Sequence, residues 1–274
     1  MKLLLVDNGS LEPAATLSLR DLARSLGARI EREVLPVSLL HANRVPAAAL
    51  DGEPAVIVED FLRTELAAGE TDFVVLPLFL GPSRAITDYL PGIVAKLQPE
   101  FPTLSLRIAP VLHRAGEADL PRMLADRVRE VATPDFVRGE PVRVALVDHG
   151  SPIPTVTAVR NEVAVQLAHE LGETVAAVAP CSMERRPGPE YAFNDPLLGN
   201  LLARDPWSSG PVVVTQLFLQ PGRHAGEGGD LAQISATAMA ASPALRVVRT
   251  TPLASHPGLI DLLARRFMDV TAAD

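Results

Sequence analysis

The sequence predicts an α/β protein made of two tandem, similar lobes, each a mostly parallel four-stranded sheet flanked by helices, with a cleft between the lobes. Three observations predict it. A strand-end motif occurs twice, a strand-and-turn motif occurs twice at almost the same separation, and in each half apolar runs alternate with helical stretches.

The first motif is KLLLVDNGS at Lys2–Ser10 and RVALVDHGS at Arg143–Ser151, each an apolar run closed by Asp-X-Gly-Ser. Asn8 and His149 stand 141 positions apart. The second is VLPLFLGPSR at Val75–Arg84 and VTQLFLQPGR at Val214–Arg223, with Arg84 and Arg223 139 positions apart. A weaker third pair sets Ala109–Leu112 against Thr251–Ala254, with Pro110 and Pro252 142 positions apart. Such a period is too long for a solenoid and reads as duplication of a small domain. The stretch Thr133–Pro141, TPDFVRGEP, carries two prolines and a glycine and is the expected linker. The lobes are therefore placed at residues 1–134 and 141–274.

In the first lobe, apolar runs predict strands at Leu3–Val6, Glu33–Val37, Phe73–Phe79 and Ser105–Val111. Helical spacing predicts helices at Ala14–Leu26, Ala55–Ala67, Ile86–Leu97 and Leu120–Glu130. The second lobe repeats the strands at Val142–Val147, Thr174–Ala179, Val212–Phe218 and Leu245–Arg249. It closes with a helix at Pro257–Phe267, whose first residue suits a helix first turn. Ligands of such sheets bind beyond the carboxyl ends of the strands, where Asn8, His149 and both Pro-X-Arg turns are expected.

Composition sets the outer bounds. The 274 residues are 47% hydrophobic and 21% charged, enough for two cores and inconsistent with disorder. A net charge of −8 argues against a nucleic-acid partner. Cys181 is the one cysteine, so neither an internal disulfide nor a cysteine-rich metal cluster is expected. The chain shows no apolar stretch of membrane-spanning length and no signal-like leader, so a cytoplasmic protein without a membrane partner is expected. No organic cofactor is expected either: the phosphate-loop pattern is absent, and Gly226–Gly229 lacks dinucleotide-loop spacing. The oligomeric state is not legible in the sequence.

Candidate chemistry gathers in the second lobe. His149 follows its first strand and His224 its third, and imidazole is a common ligand of divalent metals. A lone histidine there could equally end a strand, with Ser151 capping the next helix. Glu184, after the second strand, could complete a metal site or transfer a proton, or it could pair with Arg185 or Arg186 on the surface. Glu227 and Asp230 could orient His224, or simply supply acids to a helix start. Cys181 reads as a buried small hydrophobe. His41, His113, His169 and His256 have no partner by spacing and read as structural. The first lobe offers Asn8, Ala85 and, near the place of Glu184, Leu40, so no equivalent site is expected there.

A strand ending in His-Gly-Ser, followed by Leu-Phe-Leu-X-Pro-Gly-Arg-His, resembles the sirohydrochlorin chelatase family of the CbiX type, which is related to the class II tetrapyrrole chelatases. The likeness spans nearly the whole chain as two copies; its specific parts are Val147–Ser151 and Leu217–His224. It implies a chelatase-like fold and ATP-independent insertion of Co2+, Fe2+ or Ni2+, the metal being substrate, into a sirohydrochlorin-like tetrapyrrole. It implies that His149 and His224 are the metal-binding and catalytic histidines and that Glu184 is the acidic catalytic residue. Arg84, Arg185, Arg186 and Arg223 are then expected to bind the ligand's carboxylates. The sequence departs from the family in lacking both histidines in the first lobe and in the glycine-rich stretch after His224. A non-catalytic paralogue that binds a metal or a tetrapyrrole is the alternative.

Overall fold

Val, Leu and Ala runs without polar alternation suit strands covered on both faces, and they form the two sheet centres. The computed structural model describes residues 1–272. The first half contains β1 (Lys2–Asp7), α1 (Pro13–Ile30), β2 (Leu35–Ser38), α2 (Val58–Ala67), β3 (Asp72–Pro77), α3 (Leu90–Leu97) and β4 (Ser105–Ile108). Next come α4 (Asp119–Val131), α5 (Pro134–Val137), β5 (Arg143–Asp148), α6 (Pro154–Leu171), β6 (Ala177–Ser182), α7 (Leu198–Leu202), β7 (Gly210–Gln216), α8 (Asp230–Ala241), β8 (Leu245–Arg249) and α9 (Pro257–Thr271). No helix among the described residues is long and apolar enough to cross a membrane.

The strands form two four-stranded sheets, ordered β2-β1-β3-β4 and β6-β5-β7-β8, with every pairing parallel. The expected architecture of two similar sheets flanked by helices is the one observed. Around the first sheet, Leu4, Val6, Val58, Leu62, Phe73, Val75 and Leu90 form a core. Around the second, Ala145, Val147, Leu198, Leu201, Trp207, Val212, Val214 and Leu231 do so.

The local differences have physical causes. The second strand of each half lies later than expected, because the preceding apolar residues Val34 and Val175 belong to the approach from a helix end. The helix expected at Ile86–Leu97 opens with a π turn at Ala85–Tyr89 before α3 begins. The expected linker holds one helical turn, α5, with the Thr133 hydroxyl accepting from the Phe136 amide. The third repeat match is displaced by one residue. Ala109 and Thr250 donate to Val75 and Val214, and Leu112 and Leu253 donate to Phe79 and Phe218. Leu112 therefore corresponds to Leu253, and matching the two prolines slipped the register.

Repeats and packing units do not share boundaries. One compact unit is Met1–Ala115 with Pro257–Asp274; the other is Gly116–His256. Helix α4 comes from the first repeat, yet it packs on α6 and β7; α9 comes from the second, yet it packs on α1 and β3. An arginine latches each. Arg127 of α4 donates to the Ser255 hydroxyl at 2.7 Å, and Arg266 of α9 donates to the Val111 and Leu112 carbonyls at 2.9 and 2.6 Å. The two occupy matching places in LPRMLADRV and LIDLLARRF.

Candidate functional site

Strand β5 ends at Asp148, and its ladder with β6 runs on past both strand ends. Met183 donates to the Asp148 carbonyl at 2.8 Å and Glu184 to that of His149 at 3.2 Å. Between them the chain turns at Gly150, whose φ is +94° and whose missing Cβ would lie 1.9 Å from the Glu184 carbonyl oxygen. Only glycine fits there. This close approach sets His149 beside Glu184, with Nε2 and Oε1 3.6 Å apart and both side chains exposed. The His149 Nδ1 donates to the Gly150 carbonyl at 3.1 Å.

His224 reaches the same place from β7. Its ring lies 4.7 Å from that of His149, centroid to centroid, at 73° between planes. The glycine-rich stretch after it is a tight loop. A Cβ on Gly229 would lie 2.5 Å from the Arg223 carbonyl oxygen, and one on Gly226 would lie 2.7 Å from that of Gly222. Arg249 braces the loop by donating to the Gly226 and Glu227 carbonyls at 3.1 and 2.8 Å. The fold-back starts α8 at Asp230 and brings its carboxylate to His224, where Nδ1 donates to Oδ2 at 2.5 Å. Glu227 is exposed and plays no such part. A carbonyl and a carboxylate can only accept, so each imidazole donates from Nδ1. The carboxylate–imidazole pairing is the arrangement that orients histidine ligands in metal sites. Among the described residues no three His, Cys, Asp or Glu side chains already stand in metal-holding geometry. The two imidazoles thus stand edge to face with an exposed carboxylate beside them.

The four arginines are placed differently. Arg185 turns away from Glu184 to brace its own loop, with Nε donating to Asp195 at 3.0 Å and Nη1 to the Gly188 carbonyl at 3.0 Å. Arg186 is exposed and stands 5.9 Å over the Tyr191 ring. Arg223 is exposed, next to His224, with no hydrogen bond or ion pair from its side chain among the described residues. Arg84, in the other unit, is exposed and pairs with Asp88 at 3.8 Å. That unit repeats the backbone without the chemistry: Leu40 donates to the Asn8 carbonyl at 3.2 Å, in the register of Glu184 and His149.

Sequence reasoning missed a buried polar group beneath the turn, formed by Asp148, Arg160, Ser182 and Asn194. Burial pushes the Asp148 carboxyl above the ordinary aspartate range, against the opposing pull of the Ser182 hydroxyl and Arg160. Cys181 is buried as expected, and burial likewise pushes its thiol up. The folded value lies above the unfolded one, so Cys181 favours folding fully below about pH 8.5, the free-thiol value. That contribution is lost as pH rises, by at most about 1.4 kcal/mol per pH unit. Urea unfolding at pH 7.5 and 9.5 is expected to show this fall in the wild type, and Cys181→Ala is expected to remove it.

The CbiX family profile matches residues 2–131 and again 143–270. No curated protein matches the chain. Among solved structures, "SirB from Bacillus subtilis with Fe3+" aligns at a TM-score of 0.71 and 19% identity over 99% of this chain and 96% of that one. The SirB sirohydrochlorin chelatase of Bacillus subtilis subspecies spizizenii, in complex with cobalt, aligns at 0.71 and 18% over the same shares. A CbiX described as the terminal enzyme of siroheme biosynthesis in denitrifying bacteria aligns at 0.62 and 15%, over 98% of this chain and 99% of that one. At such identities these three speak to the fold. The profile covers both repeats and takes in the strand-end motif and the histidine pair, and the chain belongs to the CbiX family.

Proposed function

We propose that this protein inserts a divalent metal ion, Co2+, Fe2+ or Ni2+, into a sirohydrochlorin-like tetrapyrrole without ATP. The observation that carries the reading is the pair of imidazoles 4.7 Å apart, each donating from Nδ1, with the Glu184 carboxylate 3.6 Å from the Nε2 of His149. Two such nitrogens can share an ion bound at about 2.0–2.1 Å, and Glu184 can swing its carboxylate onto it. Imidazole and carboxylate hold such ions yet release them, which insertion requires. As the metal enters the macrocycle, two pyrrole N–H bonds break and the electron pairs pass to the metal. The two protons leave to bases, and an imidazole Nε2 that has given up the metal and the Glu184 carboxylate are both in place to accept them. The oriented His224–Asp230 pair suits its imidazole to accept one.

Arg223 precedes His224 and Arg186 follows Glu184 by two residues, both exposed, and we assign them to the ligand's carboxylates. Arg185 already serves its loop and has less to give.

The deciding experiment is anaerobic absorbance spectroscopy with sirohydrochlorin and each metal in turn. The expected result is metal-dependent conversion to the metallated spectrum at a rate above the protein-free control. Uptake of metal and tetrapyrrole without acceleration would instead identify a binding paralogue. Arg223→Ala is expected to raise KM for the tetrapyrrole about 10-fold or more, since a charge-assisted hydrogen bond contributes roughly 1.5–3 kcal/mol; kcat is expected to change little.

A further inference from the structure

The second unit buries a polar cluster that the sheet itself does not require. Arg160, on α6, is 1% exposed. Its Nη1 donates to the Ser182 hydroxyl at 2.5 Å and to the Asn194 carbonyl at 2.9 Å. Ser182 donates in turn to Asp148 Oδ1 at 2.6 Å. The same guanidinium nitrogen lies 3.7 Å from that carboxylate oxygen. Asn194 is fully buried and uses both ends of its amide. Its oxygen accepts from the Ser151 amide at 2.9 Å and the Thr157 hydroxyl at 3.1 Å, and its nitrogen donates to the Ser151 and Tyr191 carbonyls at 2.9 and 3.0 Å.

The first unit shows that the fold can do without this cluster. Asp7 and Ser38 end its strands in the register of Asp148 and Ser182. Leu19, however, stands where Arg160 stands. Counting back from the amide bonds Ser38-to-Val56 and Ser182-to-Pro196, Pro54 stands where Asn194 stands. Thr16, the counterpart of Thr157, is left with a buried hydroxyl that has no partner. The sheet order is nevertheless the same. A buried guanidinium is costly to desolvate and weak evidence for stability. Arg266 of the other unit is buried as well, but it donates to the Val111 and Leu112 carbonyls; the Arg160 cluster belongs to the unit that carries the imidazoles, and its members flank them in sequence. Asp148 immediately precedes His149, Asn194 grips both backbone groups of Ser151, and Ser182 lies two residues before Glu184.

We propose that Asn194, Arg160 and Ser182 are positioning residues that hold the His149 turn and Glu184 in the arrangement that takes a divalent cation. The proposal rests on reading the histidine pair as a metal site. It is tested on the full chain with Asn194→Ala, Ser182→Ala and Arg160→Leu, the last copying the first unit. Leu201→Ala, a purely apolar change in the core of the same unit, serves as a control for lost stability. Two quantities are read: Co(II) binding through its visible d–d bands, and the imidazole 15N–1H signals of the metal-free protein. The cluster variants are expected to raise the Co(II) dissociation constant about 10- to 100-fold, to change the band shape, and to broaden or split the His149 signals. Leu201→Ala is expected to lower the melting temperature and leave both readouts intact. Wild-type affinity, bands and His149 signals in the cluster variants would overturn the proposal, as would the same losses in Leu201→Ala. If the wild type takes up no Co(II), the metal reading fails, and the ring signals decide alone. A His149 change confined to the cluster variants keeps the positioning role, and no change removes it.

Discussion

His149→Ala and His224→Ala are each expected to reduce metal insertion to the protein-free rate and to remove Co(II) uptake at micromolar metal. Each leaves a single imidazole with an exposed carboxylate, too few donors to compete with water for a labile divalent ion. Asp230→Asn is expected to be milder, weakening metal binding about 10- to 100-fold, because the ligand stays while its orienting carboxylate goes. Asn8→Ala is expected to change the rate little, since Leu40 and Ala85 leave no further donor at the matching positions. The check is the initial rate at saturating metal alongside a Co(II) titration for each variant. Full activity in both histidine variants, or total loss in Asn8→Ala, would reverse the assignment.

Gly150→Ala is expected to lower stability by about 3 kcal/mol and to abolish metal uptake. Its backbone sits at φ +94°, which a side chain strains, and the new Cβ would fall 1.9 Å from the carbonyl oxygen of Glu184, a residue whose amide bonds the His149 carbonyl. The turn cannot open without separating His149 from Glu184. Gly222→Ala makes the contrast, because nothing lies within 4 Å of the added atom, and it is expected to keep both stability and binding. Urea unfolding of the two variants measures the difference. Near-equal midpoints would show that the turn yields more easily than its geometry indicates.

The duplication and the histidine pair were legible in the sequence because each depends on short contiguous motifs at strand ends, where position alone decides what reaches the sheet edge. Asp230 was half legible: the spacing placed an acid near His224, while Glu227 fitted equally well. The tight glycine loop separates them by making Asp230 the first residue of α8. The Arg160–Asn194 cluster was hidden because its members lie 34 residues apart, and an arginine within a helix ordinarily reads as solvent-facing. The placement of α4 and α9 was hidden for the opposite reason. Each helix shows a buried apolar face, and no local pattern says which sheet that face covers.

That placement bears on how the protein is made. Gly116–His256 is one uninterrupted stretch, so all of it is synthesised before α9. The unit begun first is finished last. Until Leu259, Leu262 and Leu263 arrive on α9, the faces of α1 and β3 on which α9 packs lack their cover, and the amino-terminal body stays incomplete throughout synthesis of the half that carries the histidines. A fragment cut at residues 116 and 256 inherits a whole unit with both histidines, whereas one cut at the repeat boundary inherits a unit stripped of α4.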